Sequence, residues 1–545
     1  MKLTNKPCGK LTLITLSIGI LLLPACCAVA AVVPPGTPLA DRQEIVRNNN
    51  SEPSSLDPHK VESDVEMAII NDCFDGLVSI NRRGEVEPRL AERWENKAPD
   101  QWIFHLRPGL TWSNGRPLTA HDVVYSWRRL SDPDTASPYA SYLASMNVLN
   151  AQEIISGKQP AEALGVRALD DRTLHITLSR PVSYFLQMLP VPVLVPIPQE
   201  TVERFDTKWT QPQNFVGSGA FKITQWVVNE KIVAARNHRY WDDNKTVINK
   251  VTYLPLASET AEVNRYKAGE IDITRNVPET LFNALQKELG DQVRVTKTLE
   301  TYFYEFNTNK PPFDDYRVRL ALNLGLDKEI IAGKVMGQGQ TPAYAVSPDN
   351  IGGITFTPAY YADWPAERRT VEARRLLAEA GFTPSRPLTF TLMYNTSESN
   401  QRVAIAASSM WKKNLGVDAK LNAQEWKTLM DTMHSERFDL IRTSWKADYN
   451  EPSSYLNNYR TGDSINTSKY SSAQYDRVME NALAAGSVEQ ARRYYQQAED
   501  ILAKESPTIP IYHNVGARLV KPYVGGYAQN RLGFIDTKEL YIVRH

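Results

Sequence analysis

Segments with the two-residue period of a strand and segments with the period of a helix alternate along this chain, which confines it to the mixed α/β folds. Trp102, Phe104 and Leu106 alternate with polar residues, as do Leu174, Ile176 and Leu178, and both runs predict half-buried strands. Between them Thr119 and Asp122 frame a capping box, and Val123, Trp127 and Leu130 share one face of the helix that follows. Ser113-Asn114-Gly115 is a turn, and residues 221–237 read as a hairpin. DDYRVRLALNLGLDKEII, TVEARRLLAEAGF and SVEQARRYYQQAEDILAKESP predict amphipathic helices, the last opening on Ser487 and Gln490 and stopped by Ser506-Pro507. Leu388, Phe390 and Leu392 predict a strand, followed by a helix through Trp411 and a second strand through Val417, Ala419 and Leu421.

Length and charge bound what such a chain does. Its 545 residues suffice for two to four domains with their own cores. With 62 basic and 62 acidic side chains the net charge is zero, which argues against nucleic acid or an anionic membrane surface as the main partner. The N-terminus differs from the rest. Lys2, Lys6 and Lys10 precede LTLITLSIGILLLPACCAVA, and Ala28-Val29-Ala30 completes the pattern of a secretory signal peptide cut after Ala30. Leu23-Pro24-Ala25-Cys26 resembles a lipoprotein cleavage site and leaves lipid anchoring at Cys26 as the alternative. Beyond residue 30 only Cys73 remains, set among apolar residues, so no internal disulfide forms and a buried thiol is expected.

Catalytic motifs are missing from the sequence. There is no G-x-S-x-G elbow, Walker lysine loop or H-E-x-x-H, and the eight histidines never stand at metal-ligand spacing. Asp57 and Asp272 are conceivable as paired carboxylates, but equally as turn and surface acids. No enzyme, cofactor or metal is predicted.

One stretch asks for another explanation. FDLIRTSWKADYNEP, residues 438–452, begins as a strand entering an interior and then places Arg442, Trp445, Lys446 and Asp448 close together. Asp448 either meets a charged ligand or makes a turn before Asn450-Glu451-Pro452.

LRPGLTWSNGRPLTAHDVVYSWRRL, YWDDNKTVINKVTYLP, NKPPFDDYRVRLALNLGLDKEII and WKADYNEP together resemble the large solute-binding proteins of ABC importers for oligopeptides, dipeptides and nickel. SLDPHK and ARLVKPYVGGY are most similar to the oligopeptide and murein-peptide branch, and the resemblance runs from about Leu39 to His545. It implies a two-lobed α/β clamp with an extra inserted domain, the lobes joined by two crossover segments. Lobe I would combine 31–74, 199–299 and 516–545, the inserted domain II 75–198 and lobe III 300–515.

The same resemblance implies a periplasmic, monomeric receptor that passes peptides of about two to five residues to an inner-membrane permease. Asp448 would bind the peptide ammonium and Arg442 its carboxylate, with Glu305 as the acid that pairs Arg442 internally. Ser444 and Lys446 would offer backbone groups, as would Glu62 and Asp64 from the opposite lobe, and Tyr139, Trp426 and Trp445 would line side-chain pockets. Relatives have basic residues where Met336, Asn400 and Met433 stand, which implies a narrower length preference, centred on about three residues, or a ligand lacking an ordinary C-terminus. Glu300 and Lys446 occupy the positions of the relatives' disulfide and are expected to form an ion pair. Asp64 is expected to be either a solvated acid or a partner for a basic ligand side chain. The alternatives are a binder of murein tripeptide, haem or a nickel chelate, and an exported hydrolase.

Overall fold

Two long strands tie the molecule together in this computed structural model, which describes residue 31 and residues 33–545 except 82–84, 183 and 486. The expected signal peptide, its cleavage site and Cys26 lie outside the described residues. Val293–Phe306 and Thr508–Leu519 pair antiparallel from Val293 opposite Leu519 to Glu305 opposite Thr508, with the ladder broken between Lys297 and Thr301. At one end they are neighbours in a six-stranded sheet, ordered Thr341–Pro342, Thr508–Leu519, Val293–Phe306, Leu440–Lys446, Thr389–Asn395 and Asp418–Gln424. At the other end they reach a different body. Ile273 bridges both Val520 and Arg47, and Thr274 exchanges hydrogen bonds with Leu519.

Arg47 belongs to the strand Glu44–Asn48, the edge of a four-stranded sheet continued by Lys250–Leu254, Lys231–Arg236 and Phe221–Val227. A second four-stranded sheet, Ala91–Ala98, Gln101–Leu106, Thr173–Thr177 and Val166–Asp170, packs nearby. One apolar core runs through both, including Ile45, Phe74, Trp127, Phe185 and Val251. The six-stranded sheet has a separate core around Phe306, Phe390, Leu392 and Trp411. Separate cores joined by two strands make a two-lobed α/β clamp with an additional domain on one lobe.

Local signals account for most of these elements. Thr119 and Asp122 form the capping box of the helix Ala120–Ser131, whose Val123, Trp127 and Leu130 are buried. Asn229, with φ of 59°, turns the hairpin between Phe221–Val227 and Lys231–Arg236. Trp411 fixes the helix Glu398–Leu415, fully buried with its indole donating to the Leu322 carbonyl at 2.8 Å.

Two expectations need correction. The stretch 314–331 is not one helix: Tyr316–Leu324 stops at Gly325, and Asp327 caps a new turn, Lys328–Ile330. A side chain at 325 would lie 2.7 Å from Leu415, so the glycine permits the close approach that ends the helix. The strand Thr173–Thr177 is more than half-buried, since Leu174, His175 and Ile176 are all buried although they alternate between the two faces of the sheet. Cys73 is a free, buried thiol, pushed well up by that burial. Among the described residues no helix is long and apolar enough to cross a membrane.

Candidate cleft between the lobes

The strand Leu440–Lys446 is paired unequally on its two sides. Val293–Phe306 accompanies it from Phe306 to Glu300, whereas Thr389–Asn395 reaches only Leu440 and Ile441. Residues 442–446 therefore have an open edge. Ala447 donates its backbone N–H to Leu299, on the paired side. Peptide groups alternate sides along a strand, so those of Ser444 and Lys446 point to the open edge. An open edge of this kind is a template for one more strand.

That edge borders a cavity of about 270 Å³ between the lobes. All eleven residues singled out in the sequence line it: Glu62, Asp64, Tyr139, Glu305, Asn400, Trp426, Arg442, Ser444, Trp445, Lys446 and Asp448. Met336 and Met433 line it as well.

Asp448 stands where the strand ends. Its backbone N–H is held by the Ser454 hydroxyl at 2.8 Å, and its carboxylate accepts from the Tyr139 hydroxyl at 3.2 Å. Enclosure pushes the carboxyl up from 3.8 to about 7, opposed by the Tyr139 hydrogen bond. No cation lies at ion-pair distance from it among the described residues. Tyr139 also stacks on Trp445, ring centroids 6.4 Å apart, and the Trp445 indole donates to the Ser454 carbonyl at 2.8 Å. A rigid aromatic wall thus fixes an enclosed carboxylate that has one neutral donor and room for more.

Arg442 lies on the same face as Ser444 and Lys446. It donates to Asn395 Oδ1 at 3.2 Å and to the Ser444 hydroxyl at 3.3 Å, and its guanidinium sits 4.6 Å from the centre of the Tyr302 ring. The expected pairing with Glu305 is absent. Tyr304, not Glu305, is opposite Arg442 in the ladder, so the two side chains leave opposite faces of the sheet. Glu305 instead accepts from the Thr467 hydroxyl, and burial pushes it up to about 7. Asn400 is tied to Asn395, Nδ2 to Oδ1 at 2.9 Å. Trp426 leaves its indole nitrogen buried without a partner.

Glu300 and Lys446 are opposite one another in the ladder, but the expected ion pair does not form. Lys446 reaches across the cleft to Asp64 at 2.8 Å, and Arg275 holds the same carboxylate. Asp64 keeps 42% of its side chain exposed, yet its carboxylate is engaged by both cations and is not a spare partner for a basic ligand. Sequence reasoning missed Arg275, Arg518 and His434, since nothing in ITRNV, GARLV or DTMHS marks them beyond ordinary charges.

Further contacts join the lobes. His434 Nε2 lies 2.6 Å from Glu62, which raises the imidazole above its ordinary 6.5. Ser258 donates to Glu398 at 3.0 Å, Ser399 donates to Glu259 at 2.7 Å, and Arg402 pairs with Glu279. The clamp is closed.

Comparison with known proteins agrees with this geometry. Residues 85–467 match the family described as bacterial extracellular solute-binding proteins, family 5 (middle region). The chain is 50% identical over 538 residues to the periplasmic oligopeptide-binding protein OppA of Salmonella typhimurium, spanning 98% of this chain and 99% of that one. It superposes with a TM-score of 0.91 on Haemophilus influenzae OppA in complex with RPPGFSPFR, at 44% identity over 93% of this chain and 100% of that one. Against the unliganded open form of the murein tripeptide binding protein MppA the TM-score falls to 0.65, at 43% identity over 94% of this chain and 99% of that one. The chain is thus more similar to that peptide complex than to the open form. The chain belongs to the family 5 bacterial extracellular solute-binding proteins.

Proposed function

We propose that this chain is a periplasmic receptor that encloses short peptides, extended along the open edge of Leu440–Lys446, and hands them to an ABC-type permease. The observation that carries this reading is the enclosed Asp448, aligned with an unpaired strand edge and facing no cation. An ammonium stripped of water needs such a carboxylate, and a peptide backbone needs such an edge. A metal chelate or haem needs neither. The names of the relatives support peptide binding rather than catalysis.

In this reading Asp448 takes the peptide ammonium and Arg442 the carboxylate. Ser444 and Lys446 pair with the ligand backbone from one lobe, and Glu62 and Asp64 from the other. Tyr139, Trp426 and Trp445 wall side-chain pockets. Glu305 and Asn400 line the cavity and are tied to the protein itself. The lobe boundaries follow the assignment given above, with lobe I and lobe III meeting inside the strand Val293–Phe306. The receptor acts as a monomer and prefers peptides of about three residues, since Met336, Asn400 and Met433 offer no charge to a more distant carboxylate.

Calorimetry on protein unfolded and refolded to strip bound ligand tests this. Trialanine is expected to bind saturably and more tightly than dialanine or pentaalanine. No saturable heat with any of the three would overturn the peptide reading, and equal affinities would overturn the length preference.

A further inference from the structure

Two arginines on the cavity wall have no carboxylate at ion-pair distance among the described residues. One is Arg442. The other is Arg518, on the strand Thr508–Leu519, which is only 4% exposed. Its Nη1 reaches the Thr274 carbonyl at 3.4 Å, and its buried Nε has no hydrogen-bond partner. An enclosed guanidinium left so incomplete calls for an acceptor from the ligand.

The surroundings of Arg518 set the sign of that ligand group. Arg275 and Lys446 line the same part of the cavity, and both are held by the single carboxylate of Asp64. Glu300 faces the three from the strand Val293–Phe306, making no ion pair among the described residues. Arg47, also close, is neutralised by Asp72 at 3.4 Å. Burial pushes the carboxyl of the neighbouring Glu262 up to about 8, and it accepts the Arg275 backbone N–H. Tyr527 is raised by burial, and Arg294 stands opposite Arg518 in the ladder. Arg518 and Arg275, with a Lys446 that burial lowers to about 7, thus face the carboxylates of Asp64 and Glu300.

We propose that Arg518, with Arg275 and Lys446, forms an anion subsite beside the amine end of the cleft, selecting peptides with a carboxylate side chain at the first or second residue. This rests on the peptide reading above. Lys446 precedes Asp448 by two residues, so a peptide running from Asp448 towards Arg442 brings its first two side chains nearest to this group. The assignment reverses the basic-ligand expectation attached to Asp64, whose charge is already shared by Lys446 and Arg275.

Refolded protein titrated with Glu-Ala-Ala and Ala-Glu-Ala against their glutamine counterparts decides the matter. At least one acidic peptide is expected to bind about tenfold tighter than its amide, the difference between a charge-assisted and a neutral hydrogen bond. In Arg518→Gln that ratio collapses towards one. Arg518→Lys keeps the buried charge and retains part of the preference, which guards against a folding defect in the glutamine variant; thermal melts verify both. A wild-type ratio near one overturns the subsite, as does a full preference surviving in Arg518→Gln. Trialanine is the control. Its failure to bind would strike the peptide reading itself, whereas trialanine binding without an acidic preference strikes only the subsite.

Discussion

An enclosed carboxylate with one neutral donor is costly to hold, and Asp448 is in that position in the closed clamp. The cost is recovered when a cation arrives. Asp448→Asn is therefore expected to weaken peptide binding by about 1.5–3 kcal/mol, roughly ten- to a hundredfold, while leaving the fold intact. Calorimetry on the variant checks this, and an unchanged affinity would remove Asp448 from the ammonium site. At this scale the sequence was legible where residue type and resemblance coincided, and all eleven expected residues line one cavity. It was not legible where side chains had a choice of partner. Lys446 had Glu300 beside it in the ladder and Asp64 across the cleft, and only lobe closure brings the second within reach. Glu305 and Arg442 are separated by the parity of a strand ladder, which no single-chain pattern discloses.

Elements followed their periodicity when caps and apolar faces agreed. Ala120–Ser131, Glu398–Leu415 and Val488–Glu505 are such cases. The failure at 314–331 came from reading through Gly325, where packing against Leu415 and the Asp327 cap outweighed an apolar period that continued past the break. Trp411 is the residue on which the second lobe most depends, since it packs against Tyr304 and Phe390 and donates to Leu322. Trp411→Ala is expected to cost about 3–5 kcal/mol, read as a lowered denaturation midpoint, with the other lobe's transition little changed. A loss below about 1 kcal/mol would mean that this core is not organised around the indole.

Whole-molecule behaviour depends on the contacts across the cleft, and three of them titrate. Asp448 is raised in the closed form, so closure without ligand carries no penalty while the carboxyl is protonated and becomes unfavourable as pH rises from about 4 towards 7. His434 is raised by Glu62, so its contribution is complete below 6.5 and is lost as pH climbs through the raised value. The Asp448 and His434 shifts act in one direction, whereas Lys446, lowered by burial to about 7, opposes them above that pH. The ligand-free protein is expected to expand between pH 5 and pH 7 in small-angle scattering, and saturating peptide to abolish the change. His434→Gln should flatten part of the curve, modestly, because that pair is half exposed. Contraction over the same range would contradict the sign derived for both groups. The two crossing strands and the broken ladder at Lys297–Thr301 are where such motion would be absorbed.

The most direct test of the central claim compares trialanine with N-acetyl-trialanine on the stripped protein. Acetylation removes the ammonium charge and little else. The account predicts that the free peptide binds and that acetylation abolishes most of the affinity, with Asp448→Asn no longer distinguishing the two. Equal affinities for both peptides in the wild-type protein would contradict it, and Asp448 would then be holding something other than a peptide amine.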